Sequence, residues 1–263
     1  TKDKLGFIKR LKFIIYFMMD YPTIFLIEKH LVKYSKSIVF SNLMLEQLSK
    51  SYSKIKELQK IPPGLDHSVF SLENANSLQP IFEKEFPKLK EGYLLYVGRL
   101  SSAKNIDLLI EGYAKSEKRF PLVLVGEGSH KSFLIRKTLD LGIENKVFFV
   151  GKQSELLPTF YYNAKLSVLP STIETFGQVI TESMACGTPV LGFEKTKTNN
   201  VLNAFSEIVK DGDTGIVMSQ VSSDNLAKSL NNFYANSYDL SSENCKKQAG
   251  NYSWDNFIKN LII

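Results

Sequence analysis

Cysteine is scarce: Cys186 and Cys245 are the only two in 263 residues. That excludes a disulfide framework and a cysteine-ligated metal site, and a reducing cytoplasm is the expected compartment. Cys186 lies in a small-residue apolar run, Met184-Ala185-Cys186-Gly187. Histidine is scarce too. His30, His67 and His130 fall at no metal-ligand spacing and read as surface or packing residues. The apolar, aromatic stretch Leu5–Met19 is too short to span a bilayer, is broken by Lys9, Arg10 and Lys12, and carries no signal-peptide cleavage pattern. Charge of one sign is not concentrated. The formal net charge of +6 fits a lysine-rich surface, and no nucleic-acid partner is expected.

What is present is ordinary globular composition, 43% hydrophobic and 23% charged, enough for one large domain with part of another. The first forty residues read as two helical stretches, Leu5–Met19 and a second from Pro22 to about Tyr34. A β-rich run, Ser37–Ser41, and a helical stretch, Leu43–Ser53, follow. Ile61-Pro62-Pro63-Gly64-Leu65-Asp66 is a stiff turn. Residues 71–90 are rich in Asn, Ser, Pro and charge, and a domain boundary is placed near residues 66–90. From Tyr93 the pattern becomes regular. Apolar β runs appear at Tyr93–Val97, Leu122–Val125, Val147–Val150, Leu166–Leu169, Pro189–Phe193 and Gly215–Met218, mostly separated by helical stretches such as Asn105–Lys115. This alternation predicts an α/β fold, a Rossmann-like parallel sheet with helices on both faces. Ligands of such sheets bind past the carboxyl ends of the strands.

Those loops hold the candidate residues. Gly98-Arg99-Leu100-Ser101-Ser102-Ala103-Lys104 puts two cations beside a helix start that Ser101 or Ser102 can cap, with Lys104 in its first turn. On this loop alone, a phosphate site and a pair of exposed surface cations are equally good readings. Gly126-Glu127-Gly128-Ser129 permits close approach of a flat ligand, with Ser129 starting the next helix, and Gly151 occupies the equivalent place after the next strand. The richest loop is Pro170-Ser171-Thr172-Ile173-Glu174-Thr175-Phe176-Gly177, followed by a helix from Gly177 to Cys186. Glu174 precedes that helix, and Glu182 on it leans back toward its N-terminus, so both carboxylates can face one cleft beside unpaired first-turn N–H groups. The alternative is plainer: Glu182 an exposed helix residue, and Glu174 a favourable charge near a helix start.

Taken in order, these pieces resemble the C-terminal domain of the retaining glycosyltransferase family 4, whose fold is two facing Rossmann-like domains (GT-B). They are Ile61-Pro62-Pro63-Gly64-Leu65-Asp66 with Phe70; Tyr96-Val97-Gly98-Arg99 with Lys104; Leu124-Val125-Gly126-Glu127-Gly128; Pro170-Ser171 with Glu174, Phe176-Gly177 and Glu182; Ala185-Cys186-Gly187-Thr188-Pro189-Val190; and Glu207-Ile208-Val209 with Asp211-Gly212 and Thr214-Gly215. The resemblance runs from about Ser37 to Trp254. It implies a hexosyltransferase acting without a metal or other cofactor. The donor would be a UDP- or GDP-linked sugar and the acceptor a glycan or lipid-linked molecule, in envelope polysaccharide synthesis at the cytoplasmic side. Arg99 and Lys104 would hold the diphosphate and stabilise its departure. Glu174 would face the transferred sugar and Glu182 the ribose. Gly98 and the backbone of Thr175, Phe176, Gly177 and Gln178 would contact phosphates and sugar. Gly126, Glu127, Gly128, Gly151, Lys152 and Gln153 would line the base pocket. Arg99, Lys104 and Glu174 are the catalytic candidates.

The same resemblance implies three segments: 1–66, the end of an acceptor-side domain; 67–250, the donor domain; and 251–263, a C-terminal helix crossing back. On that reading most of the acceptor-side domain is missing, and the chain is incomplete for catalysis. The sequence departs from the family in a longer polar segment, Glu194–Asn203, and in Asn203-Ala204 where the family has paired glycines. Asp211-Gly212-Asp213 resembles a metal-binding Asp-x-Asp triplet, but it sits in a turn before a strand, where the family has a turn. Two other functions are weighed: a nucleotide-sugar-binding module without transfer, and a sugar-nucleotide epimerase of the same fold. The set Arg99, Lys104, Glu174 and Glu182 favours the transferase over the epimerase. Leu5–Met19 leaves two readings open, peripheral seating in an anionic membrane interface and packing against the rest of an acceptor-side domain, the second preferred.

Overall fold

The computed structural model describes residues 27–262. The expectations for Leu5–Met19 and for a helix start at Pro22 lie outside them. The chain divides into two compact units, one ending at Lys60 and one beginning at Ile61.

In the first unit, residues 27–34 are helical (α1). β1 (Lys36–Val39), α2 (Asn42–Ser51) and β2 (Glu57–Lys60) follow as a β-α-β element, with β1 and β2 paired in parallel from Lys36↔Glu57 to Val39↔Lys60. α2 begins where Ser41 accepts a hydrogen bond from the Met44 N–H at 3.3 Å, a side-chain cap.

The second unit is built on six parallel strands, in sheet order β10-β8-β6-β3-β4-β5. These are β3 (Tyr93–Val97), β4 (Leu122–Val125), β5 (Val147–Gly151), β6 (Ala164–Leu169), β8 (Val190–Phe193) and β10 (Gly215–Met218). Alternate residues of a strand point to opposite faces, and here both faces are apolar. Leu94, Tyr96, Leu122, Leu124, Leu191 and Phe193 pack on one side under α4 (Ile106–Lys115), α5 (Lys131–Asp140) and α9 (Ser223–Tyr234). Tyr93, Leu95, Val123 and Val125 pack on the other under α3 (Leu72–Glu85) and α6 (Leu157–Asn163). Next to these, Leu169 and Val190 meet α7 (Gln178–Ala185), α8 (Phe205–Ile208) and α10 (Ser242–Ala249). The doubly covered parallel sheet expected from the sequence is present. A small parallel pair, β7 (Ile173–Glu174) with β9 (Leu202–Asn203), stands past the carboxyl end of β6. The last element is α11 (Trp254–Ile262). No helix among the described residues is long and apolar enough to cross a membrane.

The stretch 71–90, near which a domain boundary was expected, is largely helical. It forms α3, capped by Ser71, with Ala75 and Phe82 fully buried and Phe82 edge-on to Phe160 at 5.0 Å. The division also falls a few residues before the expected boundary at residue 66. Ile61 and Leu65 are buried, and the Leu65 N–H donates to the Tyr252 carbonyl at 3.0 Å, which ties the Pro-Pro-Gly-Leu turn to the second unit.

Candidate functional site at the carboxyl edge of the sheet

The backbone just past β3, β4 and β5 is tied into one ledge. The Gly98 N–H donates to Val125 O at 3.0 Å, the Gly126 N–H to Gly151 O at 2.8 Å, and the Leu100 N–H to Glu127 O at 3.0 Å. A side chain at Gly126 would meet the Gly98 carbonyl at 1.9 Å, so this approach needs glycine. The Tyr96 hydroxyl donates to the Arg99 carbonyl at 3.0 Å and pins the loop that carries Arg99.

Lys104 is not in the first turn of α4. It ends a separate three-residue turn, Ser102–Lys104, closed by the Lys104 N–H to Ser101 O. Neither serine caps α4; Asn105 precedes it in the left-handed region, φ 51°. The Asn105 amide donates to Pro170 O at 3.3 Å and to Thr172 Oγ at 3.1 Å, which joins the loop after β3 to the loop after β6. Likewise His130, not Ser129, stands before α5, and Gly151 closes β5 rather than following it.

Across the cleft, Gly177 precedes α7 with φ 83°. Glu174 accepts an ion-paired hydrogen bond from Lys104 Nζ at 2.7 Å, both side chains largely shielded. The pairing of these two candidates was not foreseen. Glu182 accepts from the Tyr161 hydroxyl at 2.8 Å. Burial raises its carboxyl above the ordinary range, and the Tyr161 bond pulls in the opposite direction. Tyr161 was missed because a tyrosine on the buried face of a helix reads as core.

A cleft of about 530 Å³ is lined by Gly98, Arg99, Lys104, Glu174, Gly177, Gln178 and Glu182, together with Tyr96, Ser101, Ser171 and Val179 among others. The buried Ser171 hydroxyl has no hydrogen-bond partner among the described residues. A second cleft, about 660 Å³, is lined by Gly126, Glu127, Lys152, Gln153, Ser154 and Leu157. The two share Val97, Gly98 and Arg99, so Arg99 stands at their junction. Of the sequence candidates, Gly128, Gly151, Thr175 and Phe176 line neither. The Phe176 ring is buried, edge-on to Tyr252 at 5.4 Å.

Among the described residues no group of three or more His, Cys, Asp or Glu is placed to hold a metal ion. Asp211 and Asp213 do structural work instead. Asp211 accepts from the Val217 N–H at 2.8 Å and Asp213 from the Asn244 amide at 2.7 Å.

Comparison with known proteins gives this geometry a context. An uncharacterized glycosyltransferase of Methanocaldococcus jannaschii is 32% identical over 180 residues, covering 65% of this chain and 44% of that protein. The N-acetyl-alpha-D-glucosaminyl L-malate synthase of Bacillus anthracis is 25% identical over 185 residues, covering 66% of this chain and 44% of that protein. The chain thus spans less than half the length of these relatives. Among solved structures, Anabaena HepE in complex with UDP and glucose superposes with a TM-score of 0.77 at 20% identity, over 91% of this chain and 66% of that one. That likeness shows a shared GT-B, Rossmann-like fold. The family model for glycosyl transferases group 1 matches residues 79–252, which include both clefts and every candidate residue around them, and the chain belongs to that family.

Proposed function

We propose that the protein is a retaining, metal-independent hexosyltransferase of glycosyltransferase family 4, using a UDP- or GDP-linked sugar and a glycan or lipid-linked acceptor, with this chain supplying the donor site. The observation that carries this is the pair of adjoining clefts with Arg99 at their junction. The second cleft takes the base against Gly126, Glu127, Lys152 and Gln153. The diphosphate lies at Arg99, Lys104 and the first turn of α7, where backbone N–H groups and the helix dipole favour an anion. The ribose hydroxyls meet Glu182, and the transferred sugar meets Glu174.

The chemistry follows from charge. Departure of the nucleoside diphosphate develops negative charge on its phosphate oxygens. Two fixed cations and a helix N-terminus stabilise that charge more in the transition state than before it. Lys104 is held by Glu174. A diphosphate competes for Lys104, and Glu174 is released toward the sugar hydroxyls. Relatives support the reading, since HepE is described with UDP and glucose, and with UDP-glucose.

Calorimetric titration with UDP and GDP tests it. At least one binds, and Arg99→Ala weakens that binding by about 10- to 100-fold, the loss expected for a charge-assisted hydrogen bond. Unchanged affinity removes Arg99 from the site.

A further inference from the structure

A third cleft continues the row along the same edge. The two donor clefts lie past β4 and β5 and past β3 and β6. The third, about 460 Å³, lies past β6, β8 and β10, lined by Thr172, Thr198–Asn200 and Ser219–Val221. One wall is the polar segment 194–203, which the resemblance to family 4 does not account for.

That wall is built rather than loose. The Asn199 side-chain amide donates to Glu194 O at 2.9 Å and to Ser219 O at 2.8 Å, clamping the loop after β8 to the loop after β10. Its oxygen accepts from the Thr196 N–H at 2.9 Å and the Val201 N–H at 3.3 Å. Further on, β9 pairs with β7 in the register Asn203↔Glu174, so the wall is anchored beside the residue assigned to the transferred sugar. Thr172 is shared structure: its hydroxyl accepts from Asn105, next to Lys104, and keeps its own hydrogen to donate.

The lining decides the ligand class. It holds hydroxyls, amides and one valine, with no charged and no aromatic side chain. The loop's own charges, Glu194, Lys195 and Lys197, are not part of it. The side-chain amides of Asn200 and Gln220 are exposed and make no hydrogen bond among the described residues, so they have no evident part in holding the fold. An amide both donates and accepts, which matches the two-way hydrogen bonding of a sugar hydroxyl. An anion would meet no cation there, and an apolar ligand only Val221.

We propose that this third cleft is an acceptor-side carbohydrate subsite that takes a neutral sugar unit of the molecule receiving the hexose. It rests on the glycosyl-transfer reading. The test is saturation-transfer NMR on the full chain with neutral disaccharides containing glucose, galactose, mannose or N-acetylglucosamine, and with their uronic-acid counterparts. Wild type is compared with Asn200→Ala/Gln220→Ala, and with Thr198→Trp, which fills the cleft while keeping both amides. UDP and GDP are titrated alongside. At least one neutral disaccharide should bind, both variants should weaken it by about tenfold or more, and nucleotide affinity should stay within about twofold of wild type. The exposed positions should leave the melting temperature unchanged. The proposal is overturned if no neutral disaccharide binds, if binding ignores both variants, or if the uronic counterparts bind more tightly. Should neither nucleotide bind while the sugar signal persists and responds to the variants, the cleft stands as a neutral-carbohydrate site, and its acceptor role falls with the donor reading.

Discussion

Glu182 occupies a place where its charge is costly. Burial raises its carboxyl, so between the unfolded and folded values the folded protein holds the extra proton. Stability therefore falls as pH rises through that window and stays lower above it. Glu182→Gln keeps the shape and an oxygen for the Tyr161 hydroxyl, but removes the buried charge. At pH 7 the variant should melt at or above wild type, and the difference should close as pH falls below the ordinary carboxylate value of 4.5. Nucleoside-diphosphate affinity should drop by about tenfold if Glu182 makes the proposed ribose contact. Thermal melts across pH and calorimetry check both halves; a variant that melts lower at pH 7 would contradict the desolvated charge. Glu174 answers a different question. Its partner is Lys104 at 2.7 Å, so Glu174→Gln loosens Lys104 for the phosphates while weakening contact with the sugar. Affinity for the plain diphosphate should hold or rise, and affinity for the whole nucleotide sugar should fall. Equal losses for both ligands would end the sugar-facing role. None of these pairings was legible beforehand, because Lys104 and Glu174 lie on separate strand-end loops and only the sheet order brings them together.

The start of α7 shows how an element sets the site. Gly177 turns the chain with φ 83°, and a β-carbon there would lie 2.9 Å from Ile180 Cδ and 3.2 Å from Glu174 Cγ. Gly177→Ala should cost about 1–3 kcal/mol in urea unfolding, from left-handed strain plus crowding. It should also weaken diphosphate binding, because the first turn must shift; wild-type stability and affinity together would refute the assigned geometry. Elements of this kind were legible where hydrophobicity carried them. The runs that form β3, β4 and β10 are apolar at nearly every position, as a strand buried on both faces requires. α3 was not legible. Its sequence, Leu-Glu-Asn-Ala-Asn-Ser-Leu-Gln-Pro-Ile-Phe-Glu-Lys-Glu, buries only Ala75 and Phe82, and Pro80 sits inside it. Its helical signal was the Ser71 cap, not periodicity. The turn at Ser102–Lys104 escaped for a related reason: a serine pair before an apolar face looks like a cap, and only the left-handed Asn105 separates that turn from α4.

Across the whole second unit, the rule that parallel sheets bind ligands past their carboxyl ends pointed to the loops of Arg99, Lys104, Glu174 and Glu182 before any geometry was available, while Glu127 and Lys152 came from the resemblance to family 4. The rule said nothing of Tyr161, which reaches Glu182 from α6. Nor did it reveal the cleft of segment 194–203, where Asn200 and Gln220 are ordinary polar loop residues. The same edge fixes how charge is handled. A diphosphate leaving group carries negative charge, and on the proposed reading Arg99, Lys104 and the N-terminus of α7, which border the cleft, answer it. With those groups in place, donor binding is predicted not to depend on a divalent ion. A ligand that binds only the folded state stabilises by about 2.7 kcal/mol at a hundredfold excess over Kd. For a domain of this size that is a rise in Tm of roughly 5–10 °C. The cognate nucleotide sugar should therefore raise the Tm by that order in EDTA-treated protein. Added magnesium or manganese should change the shift by no more than about 1–2 °C, less than 1 kcal/mol of coupling. A shift that vanishes in EDTA and returns with the metal would mean that the cleft's own cations are insufficient for the diphosphate, and the metal-independent chemistry proposed for Arg99 and Lys104 would be wrong.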